Sequence, residues 1–221
     1  MPSIRKGLLQ LIFSGSFMKR WNDKLRPMEL VEVDKQGHKM ILAFVLYILN
    51  AKKVPKKERD DLAEDIILGG IFDYLYRLVI TDIKPPIFYK IKANPAHYYQ
   101  LTQWVLDQLQ PRVQPLGKDF WHKLKEYLTN EDSSLARRIL EAAHIFASQW
   151  EFGLIKELNR GDEEINEIEE NFFNCLKEYT DLVGVPELIN DPKAELTRFI
   201  NLCGQLRFQK RWSQTPRIPE T

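Results

Sequence analysis

Apolar residues recur at intervals of three and four along most of this chain, and this spacing is the period of an α-helix. Residues 132–158 show the pattern most clearly, in one stripe made of Ile139, Ala143, Phe146, Trp150, Leu154 and Leu158. Runs that alternate apolar and polar residues, as half-buried strands do, are nearly absent. We therefore predict an all-α fold of about seven to nine helices packed as a bundle.

Prolines, glycines and acidic runs indicate where the helices begin and end. The predicted helices cover about residues 38–49, 56–80, 95–110, 116–128, 132–158 and 192–202, and a further helix opens with the acidic residues 162–170. The helix at 56–80 is apolar on several sides after Leu62, which is typical of a helix in the middle of a bundle. Pro85 and Pro86 predict a rigid loop after it.

The charge balance limits the possible partners. The 32 basic and 31 acidic residues leave a net charge of +1, so no overall field attracts nucleic acid or an anionic membrane. No apolar run approaches the roughly 18 residues of a membrane-spanning helix, and residues 1–17 lack the apolar core of a signal peptide. Cys175 and Cys203 match no zinc spacing. We therefore predict a cytoplasmic protein without a nucleic-acid or membrane partner.

Four polar features follow one another along the chain. His38 comes first, Asp73 stands 35 residues later, residues 81–86 read Thr-Asp-Ile-Lys-Pro-Pro, and His144 ends the run Glu-Ala-Ala-His. Together with the Arg-Trp pair at positions 20 and 21, they resemble the HD-domain metal phosphohydrolases, in the branch of bacterial 5′-deoxynucleotidases. The resemblance extends from about residue 17 to residue 158, and it implies an HD-domain-like helical bundle.

The resemblance also implies a divalent metal ion, held in this family by a first His, an adjacent His-Asp pair and a late Asp. His38 matches the first His, Asp73 matches the Asp of the pair, and His144 stands where the late Asp is expected. These three residues are therefore the predicted ligands of Mn, Co, Zn or Fe. Asp82 matches a downstream acid of the family, so Asp73 and Asp82 are the predicted catalytic acids.

Two departures from the family pattern affect the expected metal site. Phe72 replaces the second His, and a phenyl ring has no lone pair for a metal. Tyr76 or Arg77 occupies the place of a Glu that the family uses to activate water. Two alternatives follow: an altered site that still binds a metal, or a site without metal in which the histidines are buried and Asp73 pairs with Arg77 or another base.

In the resembling family, the Arg-Trp pair lies beside the phosphate and sugar of the substrate, which implies that Arg20 and Trp21 bind a nucleoside monophosphate. A guanidinium binds phosphate through two hydrogen bonds, and an indole ring can cover a sugar or base. Lys84 could add positive charge near the phosphate. The alternative is structural: Trp21 caps the core, Arg20 bonds to carbonyls or to an acid such as Glu29, and Lys84 belongs to the surface.

A short repeat links the two ends of the chain. Lys-Arg-Trp occurs at residues 19–21 and again at 210–212, and each copy is followed by Arg five positions and Glu eight positions after the Trp. We therefore predict an HD-like domain at residues 1–206 and a tail at 207–221 that resembles the start of a second unit. A homodimer, or pairing with a second HD-like unit, would complete such an arrangement.

Two functions are consistent with these features. The first is a metal-dependent phosphomonoesterase homologue that acts on or binds nucleoside monophosphates through a partly lost metal site. The second is a non-catalytic HD-like module that binds a nucleotide or assembles with a partner domain. A third hypothesis is a purely structural helical domain. The metal content of the purified protein would distinguish among these hypotheses.

Overall fold

The computed structural model describes residues 2–81, 83, 85–130 and 132–208, and only the backbone of Pro85, Pro86 and Tyr89. These residues form ten α-helices, and their only strand-like pairing is a single bridge between Lys19 and Val31. The all-α prediction is therefore confirmed. The helices are α1 (Lys6–Ser14), α2 (Glu32–Asn50), α3 (Arg59–Val79), α4 (Pro85–Lys92), α5 (Pro95–Val113), α6 (Lys118–Thr129), α7 (Leu135–Ile155), α8 (Glu164–Lys177), α9 (Val185–Asn190) and α10 (Glu195–Gln205).

Three of these helices do not appear among the predicted ones. The first, α4, begins at Pro85, where a loop was predicted, because the missing N–H of proline costs nothing in the first turn of a helix. The other two, α1 and α9, have only nine and six residues, which is too short for a clear helical repeat in the sequence. In addition, α5 continues past Pro111 to Val113 instead of ending before the proline.

The central position of α3 follows from the apolar residues on several of its sides. Leu62 and Ile66 join a core cluster formed with α2, α7, α9 and α10. Further along the helix, Phe72 and Leu75 belong to a second cluster formed with α1, α5 and α6. Because one helix contributes to both clusters, it fixes the distance between the two parts of the bundle.

Gly69 allows α3 to approach its neighbours closely. A Cβ atom at this position would lie 2.6 Å from Cδ1 of Leu140 on α7 and 2.9 Å from the ring of Tyr127 on α6. The next residue, Gly70, faces α2, where its carbonyl accepts a hydrogen bond from the side chain of Gln36 at 2.8 Å. These contacts bring α2, α6 and α7 around the middle of α3, next to Asp73.

The last described residues pack against α7. Arg207 Nη1 donates to Oε1 of Glu151 at 2.7 Å, and the Phe208 ring lies 5.9 Å from the Trp150 ring. Residues 209–221, which carry the second copy of the repeat, lie outside the described residues, so the predicted boundary near 206 stays a prediction. Within the described ranges, no helix combines the length and the hydropathy that crossing a membrane would require.

Candidate functional site

One stripe of α2 brings charged residues into the interior. Glu32, Lys35 and Lys39 are 2%, 1% and 1% exposed, and they share a helix face with Leu42 and Leu46 because residues three and four positions apart lie on the same side. A buried ammonium or carboxylate costs free energy unless it finds partners. These three side chains therefore depend on groups supplied by α3, α7 and the segment before α2.

Lys39 forms an ion pair with Asp73 of α3. Its Nζ lies 2.5 Å from Oδ2 of Asp73, and the hydroxyl of Tyr127 on α6 donates to Oδ1 at 3.0 Å. Burial, followed by the charge of Asp73, raises the pKa of Tyr127, so its hydroxyl stays protonated and keeps donating. The Asp73 side chain is nevertheless 35% exposed, so one edge of this ion pair faces solvent.

Lys35 bonds to His144 of α7, with its Nζ 2.6 Å from Nδ1 of the imidazole. Burial, followed by the nearby charges of Lys35, Lys39, Arg20 and Arg77, lowers the pKa of His144 well below its usual value. The imidazole is therefore neutral near pH 7 and accepts a hydrogen bond from the ammonium group. His144 itself is exposed to solvent, so the bond between Lys35 and His144 lies at the outer side of the interior.

Burial also lowers the pKa of Lys35 itself. The charge of Glu32 opposes this effect, while the neighbouring cations Arg20 and Lys39 add to it. Lys35 makes no ion pair with any described residue, and its ammonium group is bonded only to the neutral ring of His144. Lys35 is thus a buried amine with no carboxylate partner of its own among the described residues.

Arg20 bonds to two buried carboxylates. Its Nη1 donates to Glu32 and its Nε to Glu151, each at 2.6 Å. Burial alone would lower the pKa of Arg20, but the two carboxylates more than reverse this and keep it charged. Arg77 lies at the outer side of Glu32, with its Nε 3.5 Å from the carboxylate and its side chain 28% exposed. The pKa of Glu32 is lowered because these cations outweigh the opposite effect of burial.

Trp21 has a strained backbone. Its φ of 56° lies in the left-handed region, which residues other than glycine rarely adopt. The indole Nε1 donates to Oε2 of Glu151 at 3.0 Å, and the ring packs at 6.0 Å from the Phe152 ring. Glu151 therefore accepts hydrogen bonds from Arg20, Trp21 and Arg207 while it is fully buried. Strain of this kind persists where surrounding contacts enforce it, often at functional sites.

These observations define the candidate site, a group of charged side chains and His144 between α2, α3, α7 and the segment before α2. We name it the charged cluster, and it consists of Arg20, Glu32, Lys35, Lys39, Asp73, Arg77, His144 and Glu151. The ion pairs in it join cations to three carboxylates, and Lys35 remains outside these pairs. The arrangement favours a negatively charged ligand.

Of the three predicted metal ligands, His38 points away from the charged cluster. Its Nε2 lies 3.1 Å from the carbonyl oxygen of Ile200 on α10, and its ring meets the Trp150 ring edge-on at 5.4 Å. Burial, followed by the charge of Arg207, lowers the pKa of His38 to about 4, although the hydrogen bond to Ile200 opposes the shift.

Asp73 and His144 both face α2, but each is bonded to a lysine and not to the other. In the part of the chain that the structure describes, no group of three or more His, Cys, Asp or Glu side chains is arranged to hold a metal ion. The structure therefore does not bring His38, Asp73 and His144 together, and the binding of a metal stays a prediction.

The residues that replace the expected family groups face an apolar environment. Phe72 is 2% exposed and packs at 5.3 Å from the Phe120 ring and 5.5 Å from the Tyr127 ring. Tyr76 is 8% exposed in the same core cluster, and burial raises the pKa of its hydroxyl to about 12. Two further predicted site residues, Asp82 and Lys84, lie outside the described residues.

Sequence reasoning did not identify Lys35, Lys39 or Glu151, although the sequence contains a signal for them. Lys35 and Lys39 interrupt the apolar stripe that Leu42 and Leu46 continue, and Glu151 interrupts the stripe of α7 between Ala147 and Ile155. A charged residue on an apolar stripe is buried if the helix keeps its orientation, and it then needs a partner. The predicted partner of Asp73 was Arg77 or another base, and the base is Lys39.

We compared the chain with protein-family models, with curated proteins and with solved structures, and none of them matches it. The resemblance to HD-domain proteins therefore depends on the residues quoted from the sequence alone.

Proposed function

We propose that this chain is a non-catalytic HD-like module that binds the phosphate group of a nucleoside monophosphate in the charged cluster, without a metal ion. The observation that carries this proposal is the pair of lysine contacts, Lys39 to Asp73 and Lys35 to His144. Asp73 and His144 are two of the residues that the family resemblance assigns to a metal. Ammonium groups thus supply positive charge at both of them.

The lysines favour binding over hydrolysis. A divalent metal ion in a hydrolase lowers the pKa of its bound water and polarises the phosphorus centre. An ammonium group is a compact charge that donates hydrogen bonds to phosphate oxygens, and it does not generate a hydroxide. The Glu that would activate water in the family is also replaced here by Tyr76 or Arg77.

Arg77 is suited to contact the phosphate directly. Only its Nε approaches Glu32, and at 3.5 Å this contact is long. Its two terminal nitrogens make no hydrogen bond with the described residues, and its side chain is partly exposed. A guanidinium with both terminal nitrogens available can bind two phosphate oxygens at once. Arg20 is less available because Glu32 and Glu151 already occupy two of its nitrogens.

Calorimetric titration of EDTA-treated protein with deoxyadenosine monophosphate tests this proposal. We expect binding without metal, and at least about tenfold weaker binding of deoxyadenosine, which lacks the phosphate. Arg77→Gln should weaken monophosphate binding by roughly 1.5–3 kcal/mol, the usual contribution of a charge-assisted hydrogen bond. Arg112→Gln is the matched control, since among the described residues Arg112 bonds only to the carbonyl of Gln108 on its own helix.

Other outcomes would contradict the proposal. The absence of monophosphate binding would remove it altogether. Binding that requires Mn²⁺, or release of inorganic phosphate in its presence, would support the phosphomonoesterase instead. We avoid Arg20→Ala as the main variant because it would leave Glu32 and Glu151 as buried carboxylates with fewer partners, and this loss of stability would obscure the effect on binding.

A further inference from the structure

A groove runs along the side of α7 that faces away from the charged cluster. At about 100° per residue, Gln149 and Gly153 lie on the opposite side of the helix from His144. The groove has a volume of about 580 Å³ and is bounded by α7, α9 and α10. This volume lies within the usual range for ligand sites, roughly 300–1,000 Å³.

The lining of the groove combines an apolar floor with free amide groups. Phe146, Trp150 and Ile200 form part of the floor, and none of the described residues that line the groove is charged. Its polar groups include the carboxamides of Gln149, Asn201 and Gln205, whose side chains bond to no other described residue. A carboxamide has both donors and an acceptor, so it can pair with the N–H and C=O groups of a peptide backbone.

At Gln149 the groove meets a smaller hollow between α7 and α8 with a volume of about 390 Å³. This hollow is acidic, since Glu169 and Glu170 line it together with Phe173, which is 44% exposed. Glu169 is paired with Lys156 at 2.6 Å, whereas Glu170 makes no ion pair with any residue that the structure describes. One end of the combined surface therefore attracts positive charge.

We propose that this surface binds a linear peptide segment of a partner protein, with an apolar anchor beside Leu154 and Leu188 and a basic residue near Glu170. The surface combines three kinds of contact: an apolar floor, backbone-pairing amides and an unpaired carboxylate. A peptide offers apolar side chains, backbone groups and basic side chains together. The two sites lie on different sides of α7, so peptide binding and monophosphate binding can each be measured with its own ligand.

Fluorescence polarisation with the full chain tests the peptide proposal. The probe is a labelled, capped octapeptide with two lysines in its first half, a tryptophan and a leucine in its second half, and no acidic residue. The comparison peptide has glutamates in place of the lysines. We expect the basic peptide to bind at least about tenfold more tightly, and Glu170→Lys should remove or reverse this preference.

Two glycines provide a matched pair of variants. A Cβ atom on Gly153 or on Gly37 meets no other atom within 4 Å, so a side chain at either position begins without a clash. Gly153→Leu fills the groove, while Gly37→Leu adds the same side chain to the exposed face of α2. We expect Gly153→Leu to weaken basic-peptide binding about tenfold or more, and Gly37→Leu to leave it unchanged.

Equal affinity of the two peptides for the natural chain, or unchanged binding by Gly153→Leu, would overturn the proposal. The chain's own residues 209–221 are also basic and include Trp212, so they provide a second test. Substitution of Arg211 and Trp212 by serine in the full chain should leave peptide affinity unchanged. A gain of about tenfold would show that this segment competes for the groove, and a separate partner would no longer be the occupant.

Discussion

Lys35 is a buried lysine whose Nζ bonds to an imidazole and not to a carboxylate. Burial of such an amine lowers stability relative to an apolar side chain of similar length, because its desolvation is only partly compensated. Residues that lower stability in this way are found where function requires them. We therefore expect Lys35 to lower the stability of the fold and to strengthen ligand binding.

We expect Lys35→Met to leave the free energy of unfolding unchanged or to raise it by up to roughly 2 kcal/mol, because methionine fills the space without a charge. The same variant should bind deoxyadenosine monophosphate about tenfold more weakly, since one cation near the phosphate is lost. Urea unfolding and calorimetric titration measure the two effects. A loss of stability of more than about 2 kcal/mol would instead identify Lys35 as a structural residue.

At the scale of helices, the close contact at Gly69 determines how α3, α6 and α7 surround Asp73. Leu140 and the Tyr127 ring occupy the space that a side chain on Gly69 would need. Tyr127 is also the hydroxyl donor to Asp73, so displacement of its ring would change the charged cluster. The packing of these helices and the geometry of the site are thus coupled through one glycine.

Gly69→Ala should therefore lower the free energy of unfolding by roughly 1–3 kcal/mol, because the added methyl group overfills the contact. This loss should exceed the gain of up to about 1 kcal/mol that alanine usually brings inside a helix. Gly37→Ala on α2 meets no other atom and should show the gain alone. Both can be measured by denaturant unfolding, and equal stabilisation by the two variants would show that the contact at Gly69 is loose.

The longer helices were predictable because their apolar stripes are long enough to show the helical period, as in α3 and α7. The stripe of α2 includes Ile41 and Leu42, three and four residues after His38, and His38 is buried with it. It did not indicate the direction, because α2 packs against α3 and α7 and also against α10. His38 faces α10, while Lys35 and Lys39 face the other two helices. Periodicity identifies a buried face, but the neighbour on that face depends on the tertiary fold.

At the scale of the whole molecule, the burial of His38 makes global stability depend on pH. Its pKa in the folded chain is about 4, and in an unfolded chain about 6.5. Between these values the unfolded chain binds more protons, so the free energy of unfolding falls as the pH is lowered. The stabilisation that comes from neutral His38 is fully present above about pH 6.5. Its whole amount, roughly 3 kcal/mol, is lost below about pH 4.

We expect His38→Gln to reduce this pH dependence. Between pH 7 and pH 5 the natural chain should lose roughly 2 kcal/mol more stability than the variant, because glutamine does not titrate. Urea unfolding of both proteins at the two pH values provides the comparison, and the other titrating groups are common to both. Parallel loss of stability in the two proteins would mean that His38 is protonated as easily in the folded chain as in the unfolded one.

The backbone of Trp21 has a mechanical consequence. Its left-handed conformation stores about 1–2 kcal/mol of strain, a usual cost for a residue with a Cβ atom. The bond from its indole to Glu151 and its contact with Phe152 keep the segment before α2 in this strained conformation. Any event that draws Glu151 away from the indole releases the stored energy. This segment can then move at a lower energetic cost than its contacts alone would indicate.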